Sequence, residues 1–209
     1  MRKFLLSERK QFIGIMLLAW LTGGCSVLPE AEAVSIEQYV LEYTPDPQAI
    51  QNTVEGAPVL IVSIPSAYGG YDSYRIAYMK QAYGLRYFTR SRWADTPARM
   101  LAPLMADALQ ATGQFQVLYS APGALVADYR LDTELIRLHQ DFTRQPSVVR
   151  LTVRAQLIDL QTHRFIATQQ FDIYETAATD DAYGGVVAAN RAVNRLFNEL
   201  AQFSVQVAS

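Results

Sequence analysis

The sequence predicts an α+β domain, a mainly antiparallel sheet with two helices packed on one face. Three observations carry this. Apolar residues alternate with period two in three successive runs between Ala127 and Ile173. Apolar residues recur at helical spacing twice, after Pro97 and after Asp181. The order along the chain is several strands, a helix, several strands and a helix, with no internal repeat.

Ile36 to Tyr43 reads as a first strand with Tyr39, Leu41 and Tyr43 on one face, stopped by Pro45-Asp46-Pro47. Val59 to Ile64 is a near-continuous apolar run between Pro58 and Pro65, which suits a central strand covered on both faces. Ser66 to Asp72 reads as a mobile turn. Its Gly-Gly pair lacks the Lys and Ser/Thr that a phosphate-binding loop needs. Ile76 and Tyr78, then Leu85 and Tyr87, mark two short strands around a turn at Tyr83-Gly84.

Asp95-Thr96-Pro97 is a helix start. Asp95 or Thr96 can accept orphan N–H groups, and Pro97 has no N–H to leave orphaned. Leu101, Leu104, Met105, Ala108 and Leu109 make one apolar face, and Gly113 suits the left-handed residue that closes a helix. Pro103 is expected to kink this helix or mark its true start.

Phe115 to Tyr119 reads as a strand and Ala121-Pro122-Gly123 as a turn. In the long run from Ala127 to Phe142, the apolar parity changes after Leu135. A β-bulge near Leu135-Ile136 would keep Leu131, Leu135, Ile136 and Leu138 all pointing inward. Val149 to Leu157 and Phe165 to Ile173 alternate cleanly, leaving one wet face rich in Arg and Gln. The last helix starts near Asp180-Asp181. Val186, Ala189, Val193, Leu196, Phe197, Leu200 and Phe203 form its stripe, and Asn190, Asn194 and Asn198 face outward.

The chain begins differently. Arg2, Lys3, Arg9 and Lys10 precede an apolar run from Phe12 to Leu21, too short to span a bilayer but suited to a signal peptide. Small residues Gly23 and Gly24 then precede Cys25, the sole cysteine. The pattern resembles a bacterial lipobox, although Leu21 stands four residues before the cysteine, where the usual pattern has Leu three before. The expected organisation is a signal peptide over 1–24, a lipidated tether over 25–35 and one domain over 36–209. Two or more acyl chains on Cys25 would hold the protein stably on its membrane, where one would not. Residues 26–35 reach roughly 33 Å at full extension, so the domain stays near that membrane. Ser26 in place of Asp favours the periplasmic face of the outer membrane over inner-membrane retention.

Half the chain is apolar and 18% is charged, which suits a folded core and excludes disorder. Four of the 18 basic and one of the 20 acidic residues fall in the leader, leaving a net charge of −5. That balance excludes a nucleic-acid binder and electrostatic adhesion to anionic lipid. His139 and His163 lie in different elements without a second ligand at helical spacing, so no metal site or cofactor is expected. There is no nucleophile elbow and no dinucleotide fingerprint. Asp128, Asp132 and Glu134 read as solvated acids on the wet face. The expectation is a protein that is not an enzyme. The concentration of Tyr68, Tyr71, Tyr74, Tyr78, Tyr83, Tyr87, Phe88 and Trp93 divides between core and a partner surface. Tyr83, Tyr87 and Trp93 are the candidate partner-binding residues.

The Arg75-Ile76-Ala77-Tyr78 and Leu85-Arg86-Tyr87-Phe88 strands and the run from Trp93 to Leu104 (WADTPARMLAPL) also carry a likeness. They resemble the auxiliary lipoproteins of ABC-type transport systems that work with MCE proteins, the PqiC-like family. The resemblance implies a fold like the N-terminal domain of TolB. It implies binding to an MCE-domain protein, with a permease and an ATPase, in transport of lipids or other hydrophobic molecules. It also implies possible homo-oligomers. The competing function is a lipoprotein scaffold or activator of cell-wall enzymes. Cys25→Ala is expected to release the protein from membranes; unchanged membrane fractionation of that variant would refute the anchor.

Overall fold

The computed structural model describes residues 35–45, 51–119 and 126–208. The leader, Cys25, the tether as far as Val34, the Asp46-Pro47 stop and the Ala121-Pro122-Gly123 turn lie outside the described residues. The elements in chain order are β1 (Glu37–Tyr39), β2 (Val59–Val62), β3 (Ser66–Ala67), β4 (Arg75–Met79), β5 (Leu85–Trp93), α1 (Pro97–Ala111), β6 (Gln116–Tyr119), β7 (Tyr129–Asp141), β8 (Val148–Asp159), β9 (Arg164–Thr176) and α2 (Ala182–Ala208).

The expected meander is present. β7, β8 and β9 pair antiparallel over nearly their full lengths. The expected bulge is also present, as a register shift between Leu135 and Arg137. It leaves Leu131, Leu135 and Leu138 all buried toward the helices. The other edge of β7 takes three short strands in succession, all parallel to it. β2 pairs with its start, β3 with its middle and β4 with its end. β6 adds to β2, β5 to β4 and β1 to β5, so the sheet is mixed although most of its pairing is antiparallel.

Both helices pack on one face and share one core. α1 starts with Pro97 at its first position, as expected, and continues through Pro103. Asp95 accepts the Thr96 N–H at 2.7 Å and pairs with Arg99. Thr96 is the N-cap, but its side chain makes no capping bond. Gly113 closes the helix at φ +68, and an added Cβ would meet the Asn52 carbonyl oxygen at 2.6 Å. α2 is capped by Asp181, which accepts the Gly184 N–H at 2.7 Å. All seven residues of its expected stripe are buried. Gly185 lets its first turn sit against β7, where a Cβ would come within 2.3 Å of Gln140 Oε1.

Several expectations are corrected. β2 is not dry on both faces: Leu60 and Val62 are fully buried, while Val59 and Ile61 are half-buried. Phe165 is 69% exposed, because a register shift at Leu157/Ile158 takes the start of β9 out of the inward pattern. The Ser66–Asp72 turn contains β3 and is bonded to the sheet, with Tyr68 N–H donating to the Leu135 carbonyl at 3.0 Å.

The largest correction concerns the asparagines of α2. Asn190 and Asn194 are half-buried against the chain that follows β1, while Asn198 is exposed as expected. Asn190 accepts the Glu42 N–H at 2.6 Å and donates to the Val40 carbonyl at 3.2 Å. Asn194 accepts the Thr44 N–H at 3.0 Å and donates to the Glu42 carbonyl at 3.3 Å. One turn further on, Asn198 accepts the Tyr43 hydroxyl at 3.4 Å. A side-chain amide has the donor and acceptor of a peptide group, so asparagines four residues apart stand in for a neighbouring strand. They explain why β1 ends at Tyr39 while the chain stays extended and Leu41 stays buried. Asn194→Ala should cost about 1–3 kcal/mol in denaturant unfolding. Hydrogen exchange at Thr44 should rise with it, while exchange in β7 and β8 stays slow.

Candidate functional site

The sheet face opposite the helices carries a transverse row of side chains fixed by strand register. Tyr87 lies opposite Ala77, Ala77 opposite His139, His139 opposite Arg150, and Arg150 opposite Tyr174. The row therefore crosses β5, β4, β7, β8 and β9. Ala77, the one small member, leaves room for the β3–β4 loop to lie over the row. From that loop Tyr71 stacks on His139, with ring centroids 5.9 Å apart and planes at 20°. The Tyr71 hydroxyl is 3.0 Å from His139 Nδ1. Tyr87 holds the same loop by donating to the Gly70 carbonyl at 3.1 Å.

Arginines cap both ends of the row. The Arg75 guanidinium lies 3.8 Å from the Tyr87 ring centroid. Arg144 and Arg150 lie over Tyr174 at 5.3 and 5.2 Å. Such contacts contribute on the order of 0.5–2 kcal/mol each, depending on desolvation. Arg150 also grips Asp172 through two hydrogen bonds of 2.9 and 2.8 Å, and Thr152 donates to the same carboxylate at 2.7 Å. The Arg150 bonds, with help from Thr152, hold the Asp172 carboxyl down to about 2. The three acids expected to be solvated are likewise engaged. Asp128 accepts the Val59 N–H, Asp132 accepts Ser63 Oγ and pairs with Arg130, and Glu134 pairs with Arg154.

His139 is buried although it is on the wet face, because the loop covers it. Burial is the main cause that lowers its pKa to about 4, so the ring is neutral at pH 7. His163 lies in the β8–β9 turn at φ +56, away from His139. Among the described residues, no group of three or more His, Cys, Asp or Glu is placed to hold a metal ion. No helix of the described residues is long and apolar enough to cross a membrane.

Of the aromatic residues singled out from the sequence, Tyr68 and Tyr74 are exposed on the β3–β4 loop, and the rest divide among four places. Tyr71 and Tyr87 belong to the row. Tyr78 and Phe88 pack with Phe142, with centroids 4.6–6.4 Å apart, on the turn side of the β4–β5 hairpin. Tyr83 stands at the hairpin tip, fully exposed at φ +62. Trp93 is 2% exposed and belongs to the core, so it is not available as a contact residue. Its backbone N–H donates to the Tyr74 carbonyl at 2.7 Å, and with Ile76 and Ala189 it lines a small internal space. Apart from these residues, a groove of about 540 Å³ runs between the helix ends. It is lined by Tyr43, Ala108, Ala111, Asn198 and Ala201 among others, with no charged residue among the described ones.

The row was not legible in the sequence because its members come from five strands. Its signal is register, which the parallel pairing of β4 on β7 sets. Residues 39–201 match the model of the ABC-type transport auxiliary lipoprotein component family. The chain belongs to that family. Membership implies a membrane-anchored periplasmic location and association with an ABC transport system, and the family is a transport auxiliary, not an enzyme class. The fold is shared with solved structures. Protein XCC0632 from Xanthomonas campestris superposes with a TM-score of 0.71 at 21% identity, covering 83% of this chain and 96% of that one. Protein CT253 from Chlamydia trachomatis gives 0.52 at 12% identity, covering 72% and 98%. No curated protein matches the chain.

The buried His139 makes stability depend on pH. Its folded pKa lies below the unfolded value of 6.5, so the unfolded chain takes up the proton first. Stability is full above pH 6.5 and falls between pH 6.5 and 4, by about 3 kcal/mol at the lower end. His139→Gln should remove most of that slope in urea unfolding measured across this window.

Proposed function

We propose that this family member binds the MCE-domain protein of its ABC transport system, through the β4–β5 hairpin and the adjoining row. The observation that carries this reading is Tyr83. A large aromatic side chain is held wholly in solvent at a left-handed backbone position, which a residue with a side chain adopts at some cost. Below it the hairpin is fixed by the Tyr78–Phe88–Phe142 packing and by the Tyr87 hydroxyl bond to Gly70. A rigid stem with an exposed aromatic tip suits an anchor residue that enters a partner's pocket. Lys80, near the Tyr78 ring, adds a cation beside the tip.

In this reading the acyl chains on Cys25 keep the protein at the periplasmic face of the outer membrane. Its partner, with a permease and an ATPase, moves lipids or other hydrophobic molecules across the envelope. Hydrolysis of ATP belongs to the ATPase, and this chain binds and positions. Tyr87 contributes indirectly, as a support of the loop and the stem.

Tyr83→Ala should leave the unfolding midpoint unchanged within error, because the ring is fully in solvent. It should reduce co-purification of the MCE-domain protein from native membranes by ~10-fold, the loss of an anchor contact. Wild-type recovery of that partner with Tyr83→Ala would exclude the hairpin as the contact.

A further inference from the structure

The ion pairs among the described residues use Arg99, Arg130, Arg150, Arg154, Arg191 and Arg195, and none involves an arginine of β4 or β5. There Arg75 lies directly opposite Arg92 in the antiparallel ladder, so both guanidinium groups leave the same face of the sheet. Ser91 and Trp93 are buried while Arg90 and Arg92 are exposed, so Arg90 shares that face. Arg86 does not, because it lies opposite Tyr78. Like charges set directly across a ladder repel. Among the described residues no acid pairs with these three. Glu37 lies opposite Ser91 and turns to the other face, where the Tyr39 hydroxyl donates to it. Asp72, exposed on the β3–β4 loop, makes no ion pair. Arg75 rests on the Tyr87 ring, which leaves the edge of its guanidinium free to donate.

Apolar side chains border these charges. Gln38 of β1 lies opposite Arg92. Ile36 and Val40, two residues to either side of Gln38, are each 48% exposed. Arginines beside bare aliphatic side chains suit a membrane interface, with the cations at the phosphates and the apolar groups below them. The place agrees with the composition. Residues 26–35 alone separate Cys25 from Ile36, a reach of roughly 33 Å. An acidic protein segment would match the arginines but would use neither the exposed aliphatics nor the nearness of the anchor. We infer that Arg75, Arg90 and Arg92 bind the headgroups of anionic phospholipids in the membrane that holds Cys25, so that the β1–β5 edge lies against the bilayer. The net charge of −5 excludes adhesion by the surface at large, and these arginines are a local exception to it. Tyr83, beyond the other end of β5, stays clear of the bilayer. The inference uses the acyl anchor of the reading above and not its MCE partner.

The test uses the acylated protein, moved from detergent into vesicles of phosphatidylcholine alone or with roughly a third phosphatidylglycerol. With Cys25 acylated, Gln38→Cys supplies the one free thiol for a fluorescent label, and Gln202→Cys, exposed on α2, supplies a control. Brominated lipid should quench the label at position 38 in the phosphatidylglycerol vesicles. It should not do so at position 202, nor at 38 in phosphatidylcholine alone or in high salt. Arg90→Gln combined with Arg92→Gln should lower the ratio of docked to free domain by at least ~10-fold. The urea midpoint should be no lower than that of the wild type, since these side chains have no ion pair to lose. Equal quenching at 38 and 202 overturns the proposal, as does quenching at 38 that ignores phosphatidylglycerol or survives both substitutions. So does protection of position 38 only when a protein with an acidic segment is added. If Cys25 itself takes the label, the anchor fails. Co-sedimentation of wild type and the double variant with the same vesicles then decides the headgroup contact, and equal binding overturns it.

Discussion

Hydrogen bonding along both edges of β7 is the constraint from which the rest of the architecture follows. One edge is committed to β8 for the whole strand. The other is divided among three short segments that run beside it in the order in which they leave the chain. This division places the β3–β4 loop above the centre of the sheet and the β4–β5 hairpin at its end. The bulge near Leu135 then lets a single strand keep a dry face toward the helices on both sides of the shift. Without it, Leu138 and Gln140 would turn toward solvent while His139 turned toward the helices.

The face that results is polar but not free. Its acids bond to arginines, hydroxyls or backbone N–H groups, and its one histidine is roofed by a tyrosine. A surface whose charges already have partners binds another protein with less rearrangement than one whose side chains must first be ordered. This suits the association with an ABC transport system that membership of the family implies.

Local pattern revealed the meander, the bulge, both helices and the closing role of Gly113, because each is written in the spacing of a few adjacent residues. It did not reveal the three parallel strands on β7, since nothing within Val59–Met79 states which distant strand it will join. Asn190 and Asn194 read as solvent-facing because their partners lie about 150 residues away. Trp93 read as a surface aromatic because it stands among tyrosines, yet strand pairing turns it into the core. Of the candidate contacts, Tyr83 is where a turn signal placed it, and Tyr87 is near the surface but occupied in holding a loop.

The asparagine ladder also bears on mechanics. Tension applied at Ser35 enters through β1, in line with β5, and then reaches a stretch fastened to α2 at successive turns. The pull is thus shared by several bonds at two separate elements before any of it can strain the central sheet. A load entering at Ser35 therefore need not distort the face of the sheet opposite the helices.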